Sequence, residues 1–164
     1  MDLAIRGLKF SAFLSILIFL SCAYSFRGTL PENIKSVQVD QFRSNVTEYG
    51  LEQEITSLVI ESIVRDGRLS IQNESPDTRI TGSVTYFSRS AVTYTGGEEV
   101  EQYKLELRVS VSMDNTEDNE YIIRDEVVSE WLLYDPSAET LDSAKQRLIV
   151  LVSDSVVRRC LSGW

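Results

Sequence analysis

The side chain most clearly placed for covalent chemistry is the thiol of Cys22. A basic start with Arg6 and Lys9 is followed by an apolar run, and Ser21 then stands directly before the cysteine. The run is about long enough for a secretory signal and too short to cross a bilayer comfortably. In bacteria this order is typical of a thiol that becomes lipidated, with cleavage of the peptide bond before it. We therefore expect residues 1–21 to be a signal peptide and Cys22 to carry acyl chains, palmitate among them; the alternative is ordinary cleavage nearby, with Cys22 incidental.

The remaining side chains offer little for catalysis or metal binding. The sequence contains no histidine, which excludes Ser-His-Asp and Cys-His catalysis and removes the usual metal ligand. Cys160 falls on the apolar stripe of the last predicted helix, so we expect a buried structural thiol. The acidic segment 114–120 lacks the glycine of a calcium loop, which indicates a solvated turn. We predict no catalytic residue, no metal site and no cofactor; a carboxylate-based hydrolase is the enzymatic alternative.

The charge balance narrows the class of partner. The chain has 164 residues and a formal net charge of −9, from 16 basic and 25 acidic side chains. Removal of residues 1–21 would leave 143 residues with a net charge of about −10. That charge opposes phosphate backbones and anionic lipid surfaces at long range, so we expect no nucleic-acid partner. The length suits a lipidated tether over 22–33 and a single domain over 34–164.

Periodic apolar positions predict the elements that would carry any site. In chain order these elements are strand 34–42, helix 49–66, strands 69–72, 80–86, 100–113 and 121–133, and helix 137–160. The first helix has the apolar stripe Leu51, Ile55, Leu58, Val59 and Ile63, and Gly67 follows where helices commonly end. The second helix has the stripe Leu141, Ala144, Leu148, Leu151, Val152, Val156 and Cys160.

The order β-α-β-β-β-β-α predicts an α+β fold. We expect a two-layer sandwich in which two amphipathic helices pack on one face of a mixed sheet of four to five strands. The first β-α-β step predicts a parallel pair, and the later strands an antiparallel meander. In the last strand, Asp125 and Ser129 would share a face with apolar residues, which indicates a bulge or register shift. The apolar residues of that predicted face are Ile123, Val127, Trp131 and Leu133.

Several aromatic residues lie in predicted connections or at the end of the chain. They are Tyr24, Phe26, Phe87, Tyr94 and Trp164. Aromatic side chains in such places often pack under a turn. The functional alternative is that they contact a protein partner, because aromatic residues are enriched in interface cores.

A set of short motifs spans nearly the whole chain after residue 21. They are the Cys-x-Tyr-Ser-Phe-x-Gly stretch at Cys22–Gly28, Leu30-Pro31, Lys35, Phe42, Asn45, Thr81–Tyr86, Thr95–Gly97, Tyr103–Leu105, the Leu141 helix and Trp164. In this order and spacing the chain resembles the LptE family, the lipopolysaccharide-assembly lipoproteins of the Gram-negative outer membrane. None of these motifs is a catalytic signature.

The resemblance implies a non-enzymatic lipoprotein held on the periplasmic side of the outer membrane. Such a protein would plug the β-barrel translocon subunit LptD and help deliver lipopolysaccharide to the outer leaflet, with contact to lipopolysaccharide itself left open. It also implies a sandwich of two helices on a sheet of about four strands. The alternative reading is a lipoprotein that regulates a cell-envelope synthase or a secretion pore.

Overall fold

The computed structural model describes residues 33–94 and 100–162, which form two layers, a mixed sheet and a pair of helices. The strands are β1 Ser36–Val39, β2 Arg43–Ser44, β3 Ser70–Ile71, β4 Thr78–Tyr94, β5 Val100–Asn115 and β6 Tyr121–Tyr134. The helices are α1 Leu51–Asp66 and α2 Leu141–Ser162. The predicted α+β sandwich is confirmed; of the first predicted strand, 34–42, only Ser36–Val39 is extended, and β2 follows after its predicted end.

The parallel part of the sheet surrounds β1. The strand order is β3-β1-β4-β5-β6, with β2 beside β4. β1 runs parallel to both β3 and β4, whereas β4, β5 and β6 form an antiparallel meander. α1 connects β2 to β3 and supplies the long crossover that parallel strands require. Both predicted features, the β-α-β step and the meander, are therefore confirmed.

One face of the sheet is apolar and lies under the two helices. Alternate residues of β5 are fully buried there: Leu105, Leu107, Val109, Val111 and Met113. The buried stripe of α1 is Leu51, Ile55, Val59 and Ile63, against which Leu58 packs partly buried. A hydrogen bond from Ser62 Oγ to Asp154 Oδ1, 2.7 Å long, joins α1 to α2. The predicted apolar stripe of helix 49–66 is confirmed, and strand 100–113 has the alternation expected of a strand with one buried face.

Glycine marks both ends of α1. Gly50, immediately before the helix, has φ 82°, and Gly67, immediately after it, has φ 76°. At this positive φ a side chain would be strained, so glycine is the residue that fits. The Gly67 N–H donates to the Ile63 carbonyl at 3.1 Å, which ends the helix as predicted.

α2 begins later than predicted and buries a different arc of side chains. Asp135 Oδ1 accepts a 2.7 Å bond from the Ser137 N–H, which closes a turn and delays the helix. Thr140 then caps α2, because its Oγ1 accepts the Ser143 N–H. The predicted stripe is partly wrong, since Leu141 and Leu151 are 36% and 43% exposed. Residues between that stripe and α1 are buried instead: Ile149, Ser153, Val157 and Leu161.

A β-bulge at Asp125 reverses the faces of β6. Asp125 has φ 48°, and the pairing of β5 with β6 shifts register between Val111 and Met113. The predicted bulge is confirmed, but the predicted common face is wrong. Ile123 points toward the helices before the bulge, and after it Val128, Leu132 and Tyr134 do so. The residues that point outward are Val127, Trp131 and Leu133.

A second register shift, between Val84 and Tyr86, exchanges the two faces of β4 in the same way. Ile80 and Val84 are fully buried, but Tyr86 is 40% exposed on the opposite face. Phe87 takes the inward position and packs partly buried against the core. One extra residue is enough to exchange the two faces of a strand, because neighbouring residues of a strand point to opposite faces.

The burial of α2 predicts a contrast between two of its leucines. Leu148 is fully buried, whereas Leu151 is 43% exposed. We expect Leu148→Ala to lower the free energy of unfolding by about 2–5 kcal/mol. Leu151→Ala should lower it by about 1 kcal/mol or less. Urea unfolding of the two variants measures this difference, and equal losses would contradict the assignment of the α2 face.

The carboxylate of Asp77 joins the start of β4 to the start of β1. Its Oδ2 accepts hydrogen bonds from the Lys35 N–H at 2.8 Å, the Ser36 N–H at 2.9 Å and Ser36 Oγ at 2.9 Å. The Asp77 N–H donates back to Ser36 Oγ at 2.9 Å. The bond from Lys35, with those from Ser36, lowers the pKa of Asp77, because all of them favour the charged carboxylate.

Asp77 should therefore contribute stability that acid removes. Its pKa in the folded protein lies below the unfolded value of about 3.9, so the contribution is fully present above that value. It is lost as the pH falls through the lower folded pKa. We expect Asp77→Asn to destabilise the fold by about 1 kcal/mol at neutral pH, since an amide oxygen accepts more weakly.

Urea unfolding of Asp77→Asn and wild type at pH 7 and at about pH 3 measures this effect. Glu74→Gln, which changes an exposed acidic residue of the same turn, is the control and should change little. The gap between Asp77→Asn and wild type should narrow at the lower pH. A gap that stays constant would show that the charge of Asp77 is not what stabilises the turn.

Candidate partner-binding surface

The sheet face opposite the helices is the surface most suited to binding. Because α1 and α2 both pack on the inner face, the outward side chains of β4, β5 and β6 have no layer over them in the described structure. We define the outer face by nine of these residues: Tyr86, Ser88 and Ser90 on β4, Lys104, Glu106 and Arg108 on β5, and Val127, Trp131 and Leu133 on β6.

Three charged side chains occupy the centre of the outer face, on β5. The Glu106 carboxylate accepts a 2.8 Å bond from Lys104 Nζ and another of 2.8 Å from Arg108 Nε. The bond from Lys104, followed by that from Arg108, lowers the pKa of Glu106. Its side chain is only 15% exposed, although Lys104 and Arg108 are 33% and 47% exposed. The centre is therefore a fixed ionic row that presents cationic groups to solvent.

Two aromatic rings flank this row. The Arg108 guanidinium carbon lies 4.7 Å from the ring centroid of Tyr86, and Lys104 Nζ lies 5.3 Å from that of Trp131. Both distances fall within the range of cation–π attraction. The contacts hold the rings in place while Trp131 remains 57% exposed. A fixed and exposed tryptophan is the type of residue that dominates interface energies.

The apolar part of the outer face is concentrated on β6. Val127, Trp131 and Leu133 are 58%, 57% and 41% exposed, and they alternate along the strand. Glu106 and Lys104 lie directly opposite Trp131 and Leu133 on β5. Contiguous apolar residues with a polar rim mark sites of interaction more often than single exposed residues do.

The described residues show neither a reactive thiol nor a cluster of metal ligands. Cys160 is fully buried on α2, and burial raises the pKa of its thiol to about 12, which leaves no reactive thiolate at neutral pH. Within residues 33–94 and 100–162, no three acidic or cysteine side chains lie close enough together to hold a metal ion. A polar cleft of about 580 Å³ is lined in part by Asn33, the first described residue, and by Asn73 and Arg79.

The aromatic residues predicted to contact a partner fall mostly outside the described structure. Cys22, Tyr24, Phe26 and Trp164 all lie outside it. The backbone of Tyr94 ends β4 and pairs with Val100. Phe87 lies on β4, partly buried against the core on the helix side. Their part in binding a partner, like lipidation of Cys22, stays a prediction.

The exposed aromatic residues of the outer face were not predicted as contacts. The alternation puts Trp131 on one face with Val127, Leu133 and Asp125, because the pattern does not show where the bulge lies. Asp125 was the available signal, since an acidic residue in the middle of an apolar face marks the place where the alternation fails.

Neither described helix has the length and apolar character needed to span a membrane.

Solved structures similar to this chain share its fold. Uncharacterized lipoprotein B from Nitrosomonas europaea is 12% identical, with a TM-score of 0.58 over 85% of this chain and 90% of that one. A protein from Xanthomonas campestris is 10% identical, with a TM-score of 0.56 over 81% and 90% of the two chains. A hypothetical protein from Chlamydia trachomatis is 9% identical, with a TM-score of 0.52 over 76% and 96%. At such identities the likeness concerns the fold alone.

Comparison with models of protein families says more about this chain than comparison with solved structures does. No curated protein matches the chain in sequence. The family model of LptE, described as lipopolysaccharide-assembly, matches residues 34–160. That range extends from two residues before β1 to two residues before the end of α2, so it contains every described strand, α1 and nearly all of α2. Because the match covers most of the sequence and nearly all of the sandwich, this chain belongs to the LptE lipopolysaccharide-assembly family.

Proposed function

We propose that this protein is a non-enzymatic outer-membrane lipoprotein of the lipopolysaccharide translocon. It would be held on the periplasmic side by acyl chains on Cys22 and would act as the assembly and plug subunit of an LptD-type β-barrel. The observation that carries this proposal is the family match over residues 34–160. The outer face supports it, because it offers a partner exposed apolar and aromatic side chains.

The anchor and the domain would have separate tasks. Each buried methylene of an acyl chain contributes about 0.8 kcal/mol, so several chains together give stable attachment. The sandwich would then supply a preformed surface at the membrane. Its fixed ionic row and flanking rings need little reordering on binding, which limits the entropy lost when a complex forms.

Depletion of the protein in a Gram-negative host tests the proposed role. We expect lipopolysaccharide to be retained inside the cell envelope, and the tagged full-length chain to purify from membranes with a β-barrel protein. Cell-surface labelling of lipopolysaccharide and mass spectrometry of the purified complex measure the two results. Normal surface lipopolysaccharide after depletion would contradict the proposal. Loss of a secreted polymer instead would favour the alternative, regulation of a synthase or secretion pore.

Substitution of Cys22 tests the anchor separately. Cys22→Ser removes the thiol that would carry the lipid, so we expect the protein to move from the membrane fraction to the soluble fraction. Cys160→Ala is the matched control, because the buried Cys160 takes no part in attachment and that variant should stay with the membrane. Mass spectrometry of the wild-type N-terminus should find a diacylglyceryl group on Cys22. A mature wild-type protein without a diacylglyceryl group on Cys22 would overturn the lipid assignment.

A further inference from the structure

β6 is the last strand of the sheet and has an open edge. It pairs with β5 on one side, and on the other side no strand of the described chain pairs with it. The backbone N–H and C=O groups along that edge are therefore free to pair with another strand. Natural proteins commonly shorten, bend or charge such an edge, because it readily accepts a further chain.

The open edge is long and regular after the bulge. Residues Glu126–Tyr134 pair with Val111–Tyr103 of β5 without any register shift. The free half of β4, on the other side of the meander, differs, because its pairing with β5 shifts near Val84, Ala91 and Thr93. Bulges bend a strand and interrupt its hydrogen-bonding row. Of the free edges in the described sheet, which include that of the two-residue β3, only the edge of β6 offers nine residues in regular extended conformation.

Apolar side chains lie on both sides of this edge. Val127, Trp131 and Leu133 lie on the outer face. On the inner face, α2 lies over β6, since Ser155 Oγ hydrogen-bonds to Glu130 and Arg159 forms an ion pair with Glu126. Leu151 is one helical turn before Ser155 on the same flank of α2 and is 43% exposed.

We propose that Glu126–Tyr134 of β6 is a binding site for an extended segment of a partner protein, which adds to the sheet as a further strand. This inference rests on the proposed function, whose barrel partner would supply the segment. Strand addition obtains affinity from main-chain hydrogen bonds and specificity from alternate side chains. The segment would carry apolar residues facing Val127 and Trp131 on one side and Leu151 on the other.

Charge favours a partner segment over a second copy of this chain. Paired β6 strands would bring Glu126 and Glu130 of one copy beside those of the other, on the inner face. Like charges on adjacent strands are destabilising. Two copies would also repel each other through the formal charge of −9 on each chain. A segment without acidic side chains meets neither obstacle.

Two double variants of matched chemistry test the site in the full-length chain. Val127→Lys with Leu133→Lys places two lysines on the edge strand, at side chains that are 58% and 41% exposed. Val64→Lys with Val150→Lys places two on the helices, at side chains that are 62% and 41% exposed. We expect the edge variant to recover roughly tenfold less of the barrel partner, and the helix variant to match wild type. Equal recovery by the edge variant would overturn the proposal.

Photocrosslinking gives a second measurement that does not depend on the stability of the lysine variants. The crosslinking residue replaces Ser129, which is exposed between Val127 and Trp131. Crosslinks to one extended segment of the barrel partner, identified by peptide mass spectrometry, would support the proposal even if both double variants lose the partner. Crosslinks to a second copy or to residues 22–32 of the same chain, or none, would overturn it.

Different results would contradict strand addition at β6 and the proposed function. If wild type purifies with the barrel but Ser129 gives no crosslink to it, strand addition is wrong and the proposed function stands. If wild type purifies without any barrel protein, the proposed function itself fails, and the β6 proposal fails with it.

Discussion

The packing of the helices against the inner face of the sheet, α2 on β5 and β6 and α1 on β1 to β4, is the contact on which the rest of the structure depends. Five alternate residues of β5, from Leu105 to Met113, are completely buried under the helices. Each such side chain contributes about 1.5–3 kcal/mol before the loss of conformational entropy is counted. Because both helices are committed to this one face, the opposite face of β4, β5 and β6 is left for other molecules. The binding surface is thus a consequence of how the core is built.

The bulge at Asp125 decides what that surface presents. Ser112 Oγ accepts the Asp125 N–H at 2.8 Å and donates to Asp125 Oδ1 at 3.2 Å, which holds the extra residue against β5. Without the extra residue, Val127 and Trp131 would point toward the helices, and the carboxylates of Glu126 and Glu130 would point outward. With it, those two carboxylates meet Arg159 and Ser155 of α2, and the apolar side chains are exposed. A single inserted residue thus decides which set of β6 side chains faces the helices, and it turns Glu126 and Glu130 inward toward α2.

The family of this chain is described by lipopolysaccharide assembly, and the described structure has an open sheet face and a regular edge that suit contact with another protein. The ionic row of Lys104, Glu106 and Arg108 keeps that face hydrated and fixed. Its rigidity also explains how exposed rings such as Trp131 are kept in one orientation, which favours tight contact with a complementary surface.

The fold class, β5 and most of α1 could be predicted from the amino-acid sequence alone, because each follows from the spacing of nearby apolar residues. Alternation from Tyr103 to Met113 and the stripe from Leu51 to Ile63 need no knowledge of distant residues. Gly67 ends α1 for an equally local reason, because glycine readily adopts the positive φ found there. The sequence also suggested a lipid anchor at Cys22, which stays a prediction.

The residues exposed on the outer face, by contrast, follow from tertiary contacts. The position of the bulge depends on Ser112, which belongs to another strand, and the exposure of Leu151 depends on how α2 packs against both α1 and the sheet. Contacts between residues distant in sequence set these features, so local periodicity could not predict them.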